Sequence, residues 1–175
     1  MKNSKISNSA TKLIILTLML FFTVIALAQT PREPGEKPFS VALFTDPVAT
    51  DKDGFNIGAS VDFQMKYMYF KAQVFHFPNL NGIDLTEITG VPLGFNYHSP
   101  HQEYRIYAGV KLGFILRKGV NPLAGLETGL DLNITKSIFI GLMASYDYRT
   151  DAKVWGAKAE PYMRASGFVK LGFRF

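Results

Sequence analysis

Ser166-Gly167-Phe168-Val169-Lys170-Leu171-Gly172-Phe173-Arg174-Phe175 closes the chain. Val169, Leu171, Phe173 and Phe175 share one face of an extended segment, and Lys170, Gly172 and Arg174 share the other. Alternation with a period of two predicts a half-buried strand. The question it raises is which face is the inside. A closed sheet in water keeps its apolar row inward, whereas one closed in lipid turns that row outward and holds its charges within.

At the other end, Lys2, Lys5 and Lys12 precede an apolar run from Leu13 to Leu27, and Ala26-Leu27-Ala28 supplies small residues before Gln29. This order of charge, apolar core and small residues predicts a cleavable signal peptide over residues 1–28. Residues 29–38 carry three prolines and read as a flexible lead-in to a single domain over residues 39–175. The chain has no cysteine, so neither a disulfide framework nor a lipoprotein anchor is expected. Its formal charge of +5 owes three lysines to the export segment, and no basic cluster remains to favour a nucleic acid partner. Beyond the signal no apolar stretch is long enough for a spanning helix. A membrane span would therefore have to be a closed barrel, which leaves no unpaired edge.

From Phe39 onward about eight segments alternate. Phe39–Thr45 is the first, and Asp46–Asp53 reads as a loop. Phe55, Ile57, Ala59, Val61 and Phe63 then oppose Asn56, Gly58, Ser60, Asp62 and Gln64. The segment from Tyr67 to Phe77 is ambiguous in parity. The fourth is irregular from Ile83 to Thr89 and then places Val91, Leu93, Phe95 and Tyr97 on one face, with Pro92 as a blemish. Tyr104–Leu116 alternates best, followed by segments ending at Asn133 and running from Ile138 to Tyr148. Arg149–Pro161 is the longest connection.

Turns placed between these segments predict registers. Lys111 would face Glu127 and Leu112 would face Leu126. Val61 would face Phe70, with Ser60 beside Lys71; Tyr97 would face Tyr104 and Phe95 would face Ile106. All keep apolar with apolar, as a register set by one buried face must. The predicted fold is an all-β, eight-stranded antiparallel up-and-down transmembrane barrel.

The second row of most segments combines glycines with charges and lacks the leucine, isoleucine and valine of a dry core. It contains Asp62, Lys71, Arg105, Lys111, Glu127, Asp131, Asp147, Lys170 and Arg174, five basic and four acidic groups. Unpaired ions in a dry core cost several kcal/mol each. A polar lumen of salt bridges is therefore expected, with Lys111–Glu127 as one pair, Arg105, Asp131, Asp62, Lys170 and Arg174 among the others, and the aliphatic row facing lipid. Tyr97, Tyr104, Phe173 and Phe175 at one rim, and Tyr146 and Tyr148 at the other, would form aromatic girdles.

Ile88-Thr89-Gly90-Val91-Pro92-Leu93-Gly94-Phe95-Asn96-Tyr97, then Tyr104-Arg105-Ile106-Tyr107-Ala108-Gly109-Val110-Lys111-Leu112-Gly113-Phe114, resemble the hydrophobic-Pro-Leu and Arg-Pro-Tyr-x-Gly-Ala-Gly stretches of PorT-type outer-membrane barrel domains. The closing segment is similar to that family's last strand, and its terminal aromatic is the usual ending of OmpA-like small barrels. Ile106 stands where the family usually has proline, and Ala108-Gly109-Val110 replaces Gly-Ala-Gly. The resemblance implies the fold and a location in the outer membrane of a Gram-negative cell, and no shared catalytic residues. It also implies contact with outer-membrane lipid and lipopolysaccharide, and with the barrel-assembly machinery through the C-terminal strand.

The three histidines are the candidate bases for chemistry. His98 and His101 fall in a turn; His76 falls near a rim, without a serine among its expected neighbours to complete a triad. No metal spacing, phosphate loop or nucleophile elbow appears, so no cofactor is expected. The expected function is a non-enzymatic barrel with a plugged polar lumen, acting as a scaffold or adhesion protein through outer loops, with Trp155 exposed to a protein partner. The competing readings are a secreted soluble barrel binding an apolar ligand and a lipid-modifying enzyme using His76.

Overall fold

Each strand of the chain pairs antiparallel with the next, and β8 returns to β1, closing the sheet into a barrel of order β1 to β8. The computed structural model describes residues 37–80, 83–117, 119–151 and 161–175. The strands are β1 (Phe39–Thr45), β2 (Ile57–Gln64), β3 (Met68–Leu80), β4 (Ile83–His98), β5 (Tyr104–Leu116), β6 (Val120–Asn133), β7 (Ile138–Arg149) and β8 (Tyr162–Arg174). The closing seam runs from Ser40↔Arg174 to Thr45↔Val169. Three tight turns gather at the end that carries Phe39 and Phe175, for example Met65 N–H to the Met68 carbonyl at 2.7 Å.

Asp46–Asp53, expected as loop, contains a short helix, α1 (Pro47–Asp53). Asp46 caps it, accepting the Ala49 N–H at 2.9 Å, and Pro47 sits at the first helical turn, where its missing N–H costs nothing. Asn56 fastens the segment: its side-chain oxygen accepts the Asp46 N–H at 2.7 Å and its amide donates to the Asp46 carbonyl at 3.0 Å. Ala49 is thereby buried over the barrel's interior.

The faces follow the alternation. On β5, Arg105, Tyr107 and Lys111 are buried, while Ile106, Val110, Leu112 and Phe114 are exposed. The expected registers, however, are each displaced by two residues. Lys111 pairs with Gly125 and Leu112 with Ala124, Val61 with Ala72 and Ser60 with Gln73, and Tyr97 with Ile106 and Phe95 with Ala108. A slip of two leaves every side chain on its own face, so hydrophobic patterning cannot detect it. Turn geometry decides instead: the Arg117 N–H closes on the Gly119 carbonyl at 3.0 Å and brings Leu116 opposite Val120.

In the fourth segment one residue, Val91, lies on the opposite face from the one expected, while Leu93, Phe95 and Tyr97 lie where expected. Pairing between β4 and its neighbours is shifted between Gly90 and Leu93, a bulge that holds Pro92. The extra residue reverses parity: Val91 is 1% exposed inside the barrel, whereas Leu93, Phe95 and Tyr97 lie outside. The expectation of an interior without aliphatics is also corrected. Phe44, Ala49, Phe75, Phe77, Leu85, Ile115, Leu123, Met143 and Phe168 form a buried apolar cluster in the half of the barrel away from the termini.

Inside, four of the hairpins repeat one device. Phe44 lies over Gly58, Tyr69 over Gly94, Tyr107 over Gly129 and Phe139 over Gly172, and each pair is directly cross-strand. A Cβ added at any of these glycines would overlap the ring. Large rings fit an eight-stranded lumen because the partner strand offers bare backbone beneath them.

Candidate functional site

Among the described residues, chemistry-bearing side chains converge in the lumen. Nearest the termini, Asp131 is a hub: its carboxylate lies 2.6 Å from Lys170 Nζ, 3.3 Å from Arg105 Nη1 and 3.6 Å from Arg174 Nη2. Arg105 also donates to Asp62 at 3.1 Å, and Arg174 donates to the Asn133 side chain at 2.6 Å. Cross-strand pairing explains the first contact, since Arg105 and Asp131 are register partners on β5 and β6.

Next comes a layer of cations between rings. The Arg105 guanidinium lies 4.8 Å from the Tyr69 ring centroid and 4.6 Å from that of Tyr107. Lys71 stands 4.6 Å and Lys170 4.4 Å from the Tyr107 ring. Glu127 accepts from Lys71 and from the Tyr69 hydroxyl, the latter at 2.8 Å, while Lys170 donates to the Tyr107 hydroxyl at 2.8 Å. Desolvated cations gain on aromatic faces.

Towards the other end, Lys111 pairs with Asp147 at 2.6 Å, and Ser145 donates to the same carboxylate at 3.0 Å. Arg149 bridges Glu87 at 2.5 Å and Asp151 at 3.3 Å, and Tyr162 donates to Asp151 at 3.1 Å. The expected Lys111–Glu127 pair is therefore not formed. Lys111 faces Gly125 across β6, and the carboxylate within reach belongs to Asp147, which the β6–β7 register places beside Gly125. Glu127 is taken by Lys71 from across the lumen.

Six carboxylates and six cations thus pair among the described residues, so the paired groups balance in charge. Glu87, Arg149 and Asp151 complete a network whose other members, Asp62, Lys71, Arg105, Lys111, Glu127, Asp131, Asp147, Lys170 and Arg174, all stand on the row that the sequence places inside. Glu87 and Arg149 lay in segments read as irregular or as loop. Their signal was parity, which the Pro92 bulge and the length of β7 obscured.

The outer surface is apolar. Leu126 is 59% exposed, Leu142 61% and Leu171 58%. At the terminal end Phe39, Phe63, Tyr97, Tyr104, Phe173 and Phe175 ring the barrel, with Phe39 and Phe63 centroids 5.1 Å apart and Tyr97 and Tyr104 6.4 Å apart. Lys37 caps the Phe173 ring at 5.8 Å and Lys66 the Tyr67 ring at 5.5 Å. Tyr146 and Tyr148 are exposed further along β7. His76 touches Thr86 through Nδ1 at 2.9 Å and pairs across strands with Ile57, on the outer face. No group of three metal-ligating side chains occurs among the described residues. Trp155 and the signal segment lie outside the described residues.

No protein-family model and no curated protein matches the chain. Among solved structures, the fold is similar to the N-terminal β-barrel domain of Pseudomonas aeruginosa OprF, with a TM-score of 0.54 and 15% identity over 78% of this chain and 96% of that one. It is similar to neisserial surface protein A (NspA), with a TM-score of 0.53 and 15% identity over the same shares of the two chains. At this identity the likeness is one of fold, that of the small outer-membrane barrels.

Proposed function

We propose that the chain is an integral outer-membrane β-barrel of a Gram-negative cell, of the OmpA-like and PorT-type kind, non-enzymatic and with a closed lumen. The observation that carries this is the inversion of the two faces. Leucine, isoleucine, valine and aromatic side chains cover the outside in a continuous band, while twelve acidic and basic side chains are paired within. Soluble monomers rarely expose apolar patches beyond a few hundred Å². In lipid the same band is the favoured surface, flanked by the aromatic rims that suit the two interfaces.

Eight strands leave an interior just filled by side chains. Here the fillers are a neutral ionic network and an aromatic cluster, which argues against bulk solute flow. The role then falls to the barrel as scaffold and to the connections at the end away from the termini, where a protein partner or adhesion target would be met, with Trp155 in the longest of them. Lipid and lipopolysaccharide would contact the outer band, and Phe175 would present the last strand to the assembly machinery. Expression with the native signal tests this: the protein should sediment with outer membranes and migrate faster on gels when unheated than when boiled. Recovery from the periplasm without detergent would favour the soluble, ligand-binding reading instead. Loss of a lipid-modifying activity in His76→Ala would favour the enzymatic one.

A further inference from the structure

Among the described residues, the barrel wall is incomplete where β1 ends beside β8. β1 leaves β8 at Thr45↔Val169, yet β8 runs on to Tyr162. Reciprocal bonds between the backbones of Phe39 and Phe175 fix which groups of β8 turn towards β1, namely those of the odd-numbered residues. Beyond Val169 the N–H and C=O groups of Gly167, Ala165 and Met163 therefore point to the β1 side. Among the described residues no backbone group pairs with them there. α1 stands beside this gap, with Ala49 buried and Val48 exposed.

An open cavity of about 880 Å³ begins between α1 and β8 and continues onto the outer face of β4–β8. Its floor is a row of direct cross-strand neighbours with small side chains: Ala108, Thr128, Ala144 and Gly167. The rows on either side are larger, with Leu126 and Tyr146 on one and Leu130 and Leu142 on the other. The result is a groove bounded along its length.

Arg164 lines the same cavity. Lys71, Arg105, Lys111, Arg149, Lys170 and Arg174, the other inward cations of the strands, each pair with a carboxylate. Arg164 has no such pair among the described residues, and its guanidinium lies 5.8 Å from the Phe77 ring centroid. Its cross-strand neighbour Asp147 meets Lys111 through Oδ2 and makes no salt bridge to Arg164.

We propose that this notch binds one acyl lipid with an anionic, phosphate-bearing headgroup. The acyl chain lies along the small-residue groove, and the headgroup oxygens accept from Arg164 and from the freed N–H groups of the β8 edge. The three features select together. A free phosphate would leave the groove unfilled, and a neutral apolar ligand would leave the cation and the edge unsatisfied, which is costly at membrane depth. A pairing strand from a second copy would meet α1 at the same edge. Charge complementarity therefore favours the anionic lipid.

This inference rests on the membrane-barrel reading, and its test separates the two. The purified barrel, first checked for heat-modifiable migration, is offered equimolar dimyristoyl phosphatidate and dimyristoyl phosphatidylcholine in detergent and examined by native mass spectrometry. One phosphatidate should be retained over phosphatidylcholine by about tenfold, a preference within reach of one charge-assisted contact. Arg164→Gln should abolish the preference, whereas Lys66→Gln, on the opposite rim, should keep it. Ala144→Phe and Thr128→Leu, each filling the groove from the outer face, should reduce retention of both lipids. Equal retention of the two lipids by a folded barrel, an unchanged preference in Arg164→Gln, or a lipid-free dimer would overturn the site alone. Absence of heat-modifiable migration in the unaltered chain would overturn the membrane reading and the site with it.

Discussion

Tyr107 on β5 lays its ring over Gly129, its direct cross-strand partner on β6. The contact ties the two best-alternating strands together and places the Tyr107 hydroxyl against Lys170 at 2.8 Å. A side chain at Gly129 must displace the ring and with it the cation layer. Gly129→Val should therefore lower stability by about 1–3 kcal/mol, the usual range for overpacking. Adding Tyr107→Ala should cost less than the sum of the two single changes, because they act on one contact. Urea unfolding of the barrel in vesicles, read by the heat-modifiable band, measures both.

Lys71 and Glu127 meet across the lumen from β3 and β6, both fully buried. Removing one partner leaves the other charge stranded, a loss of about 3–5 kcal/mol. Lys71→Met and Glu127→Met should each show it in the same unfolding assay. The double change should recover most of the loss, since an apolar pair needs no counter-ion. Failure of the double variant to recover would mean that Tyr69, which also donates to Glu127, carries the larger share.

Asp131 serves three cations, whereas Asp147 serves one cation and Ser145. Asp131→Asn should consequently destabilise the barrel more than Asp147→Asn. It should also leave the lumen with excess positive charge near the terminal end. Planar-bilayer recordings should then show a small anion-selective leak in Asp131→Asn that the unaltered chain lacks.

Leu130 faces outward at mid-barrel, between Ile106 and Leu142. Leu130→Arg should cost about 2–4 kcal/mol in vesicles if that surface is bathed in hydrocarbon. An exposed position in water would tolerate the same change within about 0.5 kcal/mol. Unfolding midpoints of the two proteins in the same lipid decide between these values.

The sequence made the sheet and most of its faces legible, because a period of two is a local property that each strand carries by itself. It did not reveal register. Lys111 facing Gly125 and Lys111 facing Glu127 are equally good to hydrophobic patterning, and only the turn at Arg117–Gly119 separates them. Parity was lost where the chain departs from alternation: Pro92 creates a bulge, and Val91 turns inward behind it. The ion pairs were half legible. Arg105 and Asp131 are register neighbours and could be deduced from a correct hairpin, but Lys71 and Glu127 sit on β3 and β6 and meet only because the sheet closes. The apolar cluster escaped for the same reason, since Phe44, Phe75 and Phe168 come together from β1, β3 and β8.

The chain has no cysteine, so single nitroxide labels can be introduced without background. Labels at Leu112, Leu126 and Val169, in the barrel reconstituted into vesicles, can be probed for collision with molecular oxygen and with a water-soluble nickel chelate. If the aliphatic rows are solvated by acyl chains, all three positions will collide readily with oxygen and scarcely with nickel. Free access of the nickel chelate to these positions would contradict the inverted barrel at its foundation.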